Sequence, residues 1–126
     1  MVDFKLWVEE KKRPIVSFDF DGTLCNFGKP KEKIINLLIK YAKDNWRVVI
    51  TTYRNETQDQ ALAKLEYDEA IPVFVKNHNL PISKIYYTNM QDKGPILAQI
   101  GALIHYDDAE GAITSAEKNG VKGVLV

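Results

Sequence analysis

Hydrophobic positions along the chain follow two spacings in turn, and this predicts strands that alternate with helices. Five short apolar runs are typical of buried strands, and the segments between them carry apolar residues at helical spacing. The predicted strands are 15–20, 46–51, 84–88, 102–106 and 122–126. The predicted helices are 31–44, a stretch from Asn55 or Thr57 to Ala70 that Pro72 bends or divides, 96–100 and 109–119.

This order of elements indicates an α/β fold. Strands alternating with helices favour a three-layer, doubly wound sheet of about five mostly parallel strands with helices on both faces. Between the elements, 25–30 is expected to be a short loop with Pro30 entering the first helical turn, and 73–75 is expected to lead into a loop. Residues 2–8 alternate imperfectly and predict an N-terminal arm or edge strand.

Length and composition limit the classes of function. With 126 residues, the chain is expected to form one domain over 1–126, with an arm at 1–14 and a core at 15–126. Seventeen basic and seventeen acidic residues give no net charge, so no overall field recruits nucleic acid or an anionic membrane. The single cysteine, Cys25, permits no internal disulfide and fits a cytoplasmic location. No run approaches the roughly 20 apolar residues of a membrane span.

Two carboxylates follow the first predicted strand. Asp19 and Asp21 are separated only by Phe20, and residues two apart in an extended chain point to the same side. Gly22 permits a sharp turn and Thr23 adds a hydroxyl. Two like charges this close need a cation or a shared proton. A solvated turn is the plainer interpretation, but acids that end a buried strand favour a functional one.

Later strand ends and the loops after them carry further polar residues. These are Thr51, Thr52, Arg54, Lys93, Asp107 and Asp108. Lys93 precedes a predicted helix, whose N-terminus would also favour an anion. Ligands of doubly wound sheets bind outside the carboxyl ends of the strands. The sequence therefore predicts that these side chains and the first acid pair share one site.

The motifs resemble those of the haloacid dehalogenase (HAD) superfamily, hydrolases that mostly act on phosphate esters. DFDGTL at 19–24 looks like the first family signature. The strand ending in Thr51, the lysine Lys93 and the acid pair Asp107–Asp108 resemble the second, third and fourth, in family order. The resemblance covers about 15–126 and leaves no room for a cap domain, so it implies a compact, capless (C0-type) phosphatase.

The resemblance implies roles for the polar residues. Asp19 would attack phosphorus and form an aspartyl-phosphate. Asp21 would protonate the leaving alcohol and then activate water. Thr51, Thr52 and Lys93 would bind the transferred phosphate.

It also implies a metal site. Asp19, Asp107 and the backbone carbonyl of Asp21 would bind Mg²⁺, a hard cation that prefers oxygen ligands. Four residues would support the site: Gly22, Thr23, Arg54 and Asp108.

Several alternatives stay open at this point. Arg54 would either clamp a phosphate or hold its loop by a salt bridge. Asp108 is also well placed as the N-cap of the helix 109–119. His105 alternates with core residues and is expected to be a partly buried structural histidine. A cluster of three lysines could form a basic rim or a solvated helix start: Lys29, Lys31 and Lys33.

Two other classes of function compete with a phosphatase. A response-regulator receiver domain is rejected, because that family places its phosphoacceptor aspartate after the third strand, which here ends in YYTN. A catalytically silent HAD-like binding or scaffold module remains the alternative. The expected partner is a phosphorylated small molecule or nucleic-acid end and not a membrane, and a homodimer is left open.

Overall fold

Seven strands and five helices make up the part of the chain that the structure, a computed structural model, describes, namely residues 13–126. The strands are β1 Ile15–Phe18, β2 Cys25–Asn26, β3 Lys29–Pro30, β4 Arg47–Thr52, β5 Lys84–Tyr87, β6 Ala102–Asp107 and β7 Lys122–Leu125. The helices are α1 Glu32–Lys43, α2 Glu56–Lys64, α3 Ile71–Asn77, α4 Lys93–Ile100 and α5 Glu110–Lys118. The arm or strand predicted at 2–8 lies outside the described residues.

Five of these strands form one parallel sheet in the order β5-β4-β1-β6-β7. Every neighbouring pair is parallel, and β1 lies in the middle. The chain first adds β4 and β5 on one side of β1 and then crosses to add β6 and β7 on the other. The direction of winding therefore changes between β1 and β6. The predicted α/β fold, a Rossmann-like three-layer sheet, is confirmed.

Two hydrophobic clusters hold helices against the sheet. The larger cluster includes Phe18, which stacks on Tyr106 with ring centroids 4.9 Å apart, and Phe20, which meets Phe74 of α3 edge-on at 5.1 Å. Helix α1 adds a buried stripe to this cluster: Ile34, Ile35 and Leu38. The smaller cluster lies under α4 and α5 and contains Leu97, Ala102, Ala116 and Val121. The helical spacing read from the sequence therefore marks the faces that are buried.

The loop predicted at 25–30 is instead a β-hairpin formed by β2 and β3. Its two central residues, Phe27 and Gly28, have φ values of +50° and +78°. This left-handed backbone at both positions matches the right-handed twist of a two-residue hairpin. Pro30 lies in β3, and α1 begins at Glu32, so the prediction of Pro30 in the first helical turn is wrong.

A second difference concerns the segment after α2. Pro72 divides the predicted helical stretch, as one of the two expectations had it, but the residues after Pro72 form helix α3 rather than leading into a loop. Proline is favoured in the first helical turn because its missing N–H would have no partner there. Within residues 13–126, no domain is inserted in this segment or after β1. The helices of this part of the chain are also too short or too polar to span a membrane.

Helices α4 and α5 pack closely at Gly94. Its backbone N–H donates to Ser115 Oγ at 3.0 Å, and a Cβ at this position would overlap the Ser115 carbonyl oxygen and the Asn119 amide. Gly111 on α5 is a matched contrast, because a Cβ there would meet nothing within 4 Å.

We expect Gly94→Ala to lower the free energy of unfolding by about 1–3 kcal/mol, because the extra methyl group overpacks the interface between α4 and α5. Gly111→Ala should leave stability unchanged or raise it by up to about 1 kcal/mol, since alanine is the better helix former. Urea unfolding followed by circular dichroism measures both. Equal midpoints for the two variants would contradict the close packing at Gly94.

Candidate active site

A buried ammonium group joins two carboxylates where the winding of the sheet changes direction. Asp19 follows β1, and Asp107 ends the neighbouring strand β6. Lys93 Nζ donates to Asp19 Oδ1 and to Asp107 Oδ2, both at 2.7 Å. The Lys93 side chain is fully buried, and the two carboxylates are nearly so. The structure thus brings together three residues that lie up to 88 positions apart in the sequence.

The turn after β1 fixes the other oxygen of Asp19. Thr23 Oγ1 donates to Asp19 Oδ2 at 3.0 Å. Gly22 has a φ of +81°, and a Cβ on it would overlap the carboxylate of Asp108. Glycine is needed here both for the left-handed backbone and for the close approach of that acid. Lys31 Nζ donates to the Gly22 carbonyl at 2.9 Å.

A chain of buried hydrogen bonds runs beneath this cluster across three strands. Thr51 Oγ1 lies 2.7 Å from Ser17 Oγ, which lies 2.9 Å from His105 Nδ1, and His105 Nε2 lies 2.8 Å from Asp107 Oδ2. Because an ionised Asp107 only accepts, the histidine Nε2 donates to it and Nδ1 accepts from Ser17. All four side chains are buried.

Sequence reasoning missed Ser17 and the link from His105 to Asp107. The expected structural histidine is fully buried and uses both ring nitrogens. The signal was present as spacing, since Ser17 lies two residues before Asp19 and His105 two before Asp107, on the same faces of adjacent strands. In the register of β1 and β6, Ser17 lies directly opposite His105.

Burial and neighbouring charges give the two buried acids, Asp19 and Asp107, very different pKa values. Burial raises the pKa of Asp19 to about 7, with a further increase from Asp107 and against the opposing effect of Lys93. Burial also acts to raise the pKa of Asp107, but the hydrogen bond from His105 and the charge of Lys93 outweigh it and lower that pKa to about 2. Burial lowers the pKa of His105, which therefore stays neutral near pH 7. One ammonium cannot compensate two buried carboxylates, so Asp19 is the acid that takes up a proton.

The acids can also hold a divalent cation. Asp19, Asp107 and Asp108 each offer an oxygen, and these atoms lie within 4.8 Å of one another. An all-oxygen set of carboxylates fits Mg²⁺. Asp108 is exposed, so the set is reached from solvent on that side. The N-cap position of α5 is Ala109 without a side-chain bond, so the expectation that Asp108 caps this helix is wrong.

Asp21 is not part of the group formed by Asp19, Asp107 and Asp108, and it makes a bidentate ion pair with Arg54. Arg54 Nε and Nη2 donate to the two Asp21 oxygens at 2.9 and 2.7 Å. Arg54 Nη1 also donates to Asp59 Oδ1 at 2.6 Å and to the Glu69 carbonyl at 2.7 Å. Of the two roles considered for Arg54, the structure contains the salt bridge. Burial acts to lower the pKa of Arg54, but the bonds to Asp21 and Asp59 raise it overall.

Asp59 anchors this second cluster, and nothing in its local sequence pointed to it. It is 2% exposed and accepts from the Tyr87 hydroxyl at 2.6 Å as well as from Arg54. Burial and the bond to Asp59 raise the pKa of Tyr87. The partners of Asp59 come from β5, from the loop after β4 and from the backbone N–H of Ile71 at the start of α3, so these contacts exist only in the folded chain.

The remaining site residues have partners within the protein. Thr51 is bonded to Ser17, and Thr52 Oγ1 accepts from the Arg54 backbone N–H at 3.2 Å. Their roles in phosphate binding stay predictions. Lys29 and Lys33 are exposed. Lys31 instead donates a hydrogen bond to the Gly22 carbonyl in the turn after β1.

Comparisons with known proteins support the fold. No protein-family model matches the chain, and no curated protein matches it. It is similar to chains in two structures described as the Pnkp1/Rnl/Hen1 complex and the Pnkp1/Rnl/Hen1 RNA repair complex, with TM-scores of 0.68 and 0.66 at 12% and 14% identity. These matches cover 91% and 90% of this chain but only 46% and 42% of those chains.

A third similar structure is an uncharacterized protein from Corynebacterium glutamicum. Its TM-score is 0.62 at 15% identity, and the match covers 89% of this chain and 83% of that one. Similarity at such low identity shows a shared α/β fold and nothing finer.

We expect the stability of the metal-free protein to depend on pH through Asp19. A folded-state pKa near 7, against an ordinary value of 3.8, means that this group's contribution is complete below pH 4 and is lost as pH rises towards 7. Asp19→Asn has no charge to bury, so its stability relative to wild type should rise by about 2–3 kcal/mol between pH 5 and pH 8. Urea unfolding in EDTA measures this difference. Asp44→Asn, on an exposed residue, is the control, and a pH-independent difference for Asp19→Asn would contradict the raised pKa.

We also expect Asp59→Ala to lower the free energy of unfolding by about 2–4 kcal/mol, because Arg54 and Tyr87 both lose a buried partner. Tyr87→Phe, which removes one hydroxyl, should cost about 1 kcal/mol. Gln60→Ala, at an exposed position of the same helix, should stay within about 0.5 kcal/mol of wild type. Thermal and urea unfolding test the series. Asp59→Ala as stable as Gln60→Ala would reject the anchoring role.

Proposed function

We propose that the protein is a Mg²⁺-dependent phosphomonoester hydrolase of the HAD type that works through an aspartyl-phosphate. The observation that carries this proposal is the contact of one buried lysine with Asp19 and Asp107 at the switch point between β1 and β6. Doubly wound sheets bind ligands at such a point. A lysine at a helix N-terminus, beside oxygen ligands for Mg²⁺, suits a phosphate group.

Asp19 is the proposed nucleophile. Thr23 and Lys93 hold its two oxygens, which fixes the carboxylate in one orientation. One oxygen attacks phosphorus, the bond from phosphorus to the leaving oxygen breaks, and the phosphoryl group is carried on Asp19. Lys93 stabilises negative charge on the transferred phosphoryl oxygens. Asp19 must be ionised to react. Its raised pKa in the metal-free protein opposes ionisation, and a bound cation would favour it.

Asp21 is the proposed general acid and base. It gives a proton to the leaving oxygen in the first step and accepts one from the attacking water in the second, which releases phosphate and restores Asp19. The ion pair with Arg54 holds both oxygens of this carboxyl group. The Asp21 side chain is 59% exposed. Water can therefore reach this carboxyl group.

The residues that would hold Mg²⁺ are Asp19, Asp107 and Asp108, with the backbone carbonyl of Asp21 added by the resemblance. When bound, the ion would offset charge on the phosphoryl oxygens. The orientation of Asp107 supports this proposal, since His105 donates to one of its oxygens and the Ala109 N–H to the other, at 2.8 and 3.1 Å.

The first experiment is a phosphate-release assay on p-nitrophenyl phosphate, nucleotides, sugar phosphates and a 3′-phosphorylated oligonucleotide, with Mg²⁺ or with EDTA. We expect release that requires Mg²⁺. Asp19→Asn should lower kcat at least about 10³-fold because the nucleophile is lost. Asp21→Asn should lower it about 10²–10⁴-fold because proton transfer is lost.

Asp44→Asn is the matched control and should keep full activity. Circular dichroism of each variant separates a lost activity from a lost fold. Full activity in Asp19→Asn would reject the aspartyl-phosphate mechanism. No release from folded protein that binds Mg²⁺ would favour the alternative, a catalytically silent HAD-like binding or scaffold module.

A further inference from the structure

A pocket of about 310 Å³ adjoins the ion pair of Arg54 and Asp21. Its lining combines apolar side chains with polar and charged ones: Arg54, Asn55, Gln58, Asp59, Leu62, Tyr67, Glu69 and Met90. The pocket lies outside the buried acid cluster, and the phosphatase chemistry proposed above leaves it unused. Its volume is at the small end of the range of ligand pockets, about 300–1,000 Å³.

The pocket shares one residue with the ion pair that holds Asp21. Arg54 lines the pocket and holds Asp21, the proposed proton donor to the leaving oxygen. Met90 lines the pocket as well, and its backbone N–H donates to the Tyr53 carbonyl at 2.7 Å. Lys93 Nζ lies 4.5 Å from the centroid of the Tyr53 ring. A series of contacts thus runs from Met90 in the pocket through Tyr53 to Lys93.

The exposed surfaces in the pocket suit a flat, partly apolar group. Tyr67 and Met90 are 50% and 77% exposed, and Leu62 is 38% exposed. An aromatic ring and a thioether offer faces on which a planar ring can stack. Asn55 accepts from the Gln58 backbone N–H through its Oδ1, so its amide nitrogen is left to donate. Two side-chain amides beside apolar faces match the polar edges of a nucleobase.

Charge argues against a second phosphate in this pocket. Arg54 is the one cation in the lining, and it is already paired with Asp21 and Asp59. The other charged lining residues are the acids Asp59 and Glu69. A polyanion would be repelled there, whereas a neutral sugar and base would not. A carboxylate such as Glu69 can also accept from a ribose hydroxyl or a base amino group.

We propose that this pocket binds the nucleoside part of a nucleoside monophosphate whose phosphate lies at Asp19 and Lys93. This inference rests on the phosphatase function proposed above and names its substrate class as a mononucleotide. Tyr67 and Met90 provide the stacking surface, and Arg54 holds Asp21 between the nucleoside and the phosphate.

The test compares mononucleotides, as 5′- and 3′-monophosphates, with glycerol phosphate, which has no base. Tyr67→Ala and Met90→Ala should each lower the ratio of kcat/KM for a mononucleotide to that for glycerol phosphate by about 10- to 100-fold, the size expected for one lost base stack. Tyr67→Phe keeps the ring and should keep most of the ratio. Leu65→Ala is the matched control, because Leu65 is 79% exposed near the end of the same helix as Leu62 and does not line the pocket.

Binding is measured separately from catalysis. The chain has two methionines, Met1 and Met90, so a ¹³C-methyl label gives few signals. Adding an unphosphorylated nucleoside should shift the Met90 methyl signal in wild type and in Leu65→Ala but not in Tyr67→Ala.

The outcomes separate the two proposals. Mg²⁺-dependent hydrolysis with no methyl shift and an unchanged ratio would overturn the pocket assignment and leave the phosphatase standing. A methyl shift without hydrolysis of any ester would support the pocket and overturn the phosphatase. A 3′-phosphorylated oligonucleotide that is preferred to every mononucleotide and is equally sensitive to Tyr67→Ala would overturn the mononucleotide assignment.

Discussion

The buried contact of Lys93 with two carboxylates is the constraint on which the rest of the site depends. Removing an ammonium and two carboxylates from water is costly unless each is paired and hydrogen-bonded. Here the lysine, Thr23, His105 and the start of α5 supply those bonds. The winding of the sheet brings the partners together, because β6 returns beside β1 and α4 precedes β6.

The polar chain from Thr51 to Asp107 ties the site to the sheet. It crosses β4, β1 and β6, and each side chain in it is hydrogen-bonded to the next. Between Asp19 and Asp21, the Phe20 ring packs against Phe74. The Arg54 guanidinium carbon lies over the same ring, 4.9 Å from the ring centroid. Asp19 and Asp21 are thus held by two separate clusters, the first buried and the second exposed mainly at Asp21.

Much of this arrangement was predictable because it depends on local patterns. Apolar spacing identified every strand of the main sheet, with ends that differ by at most two residues from those observed. Strand-end position pointed to Asp19 and Asp107, since parallel strands present their carboxyl ends at one edge, and a position just before a predicted helix pointed to Lys93. The hairpin around Phe27 and Gly28 was missed because Phe-Gly is not a usual turn pair for such hairpins. Helix α3 was missed because seven residues give little periodic signal.

The sequence by itself determined the order of strands and helices and the residues that end each strand, because both are properties of neighbouring positions in the chain. Only the tertiary structure decided which of those residues touch. It paired Arg54 with both Asp21 and Asp59, joined Ser17 to His105, and opened a pocket beside Arg54. These contacts join residues from different elements, and their geometry is set by sheet order and helix packing, which no local pattern encodes.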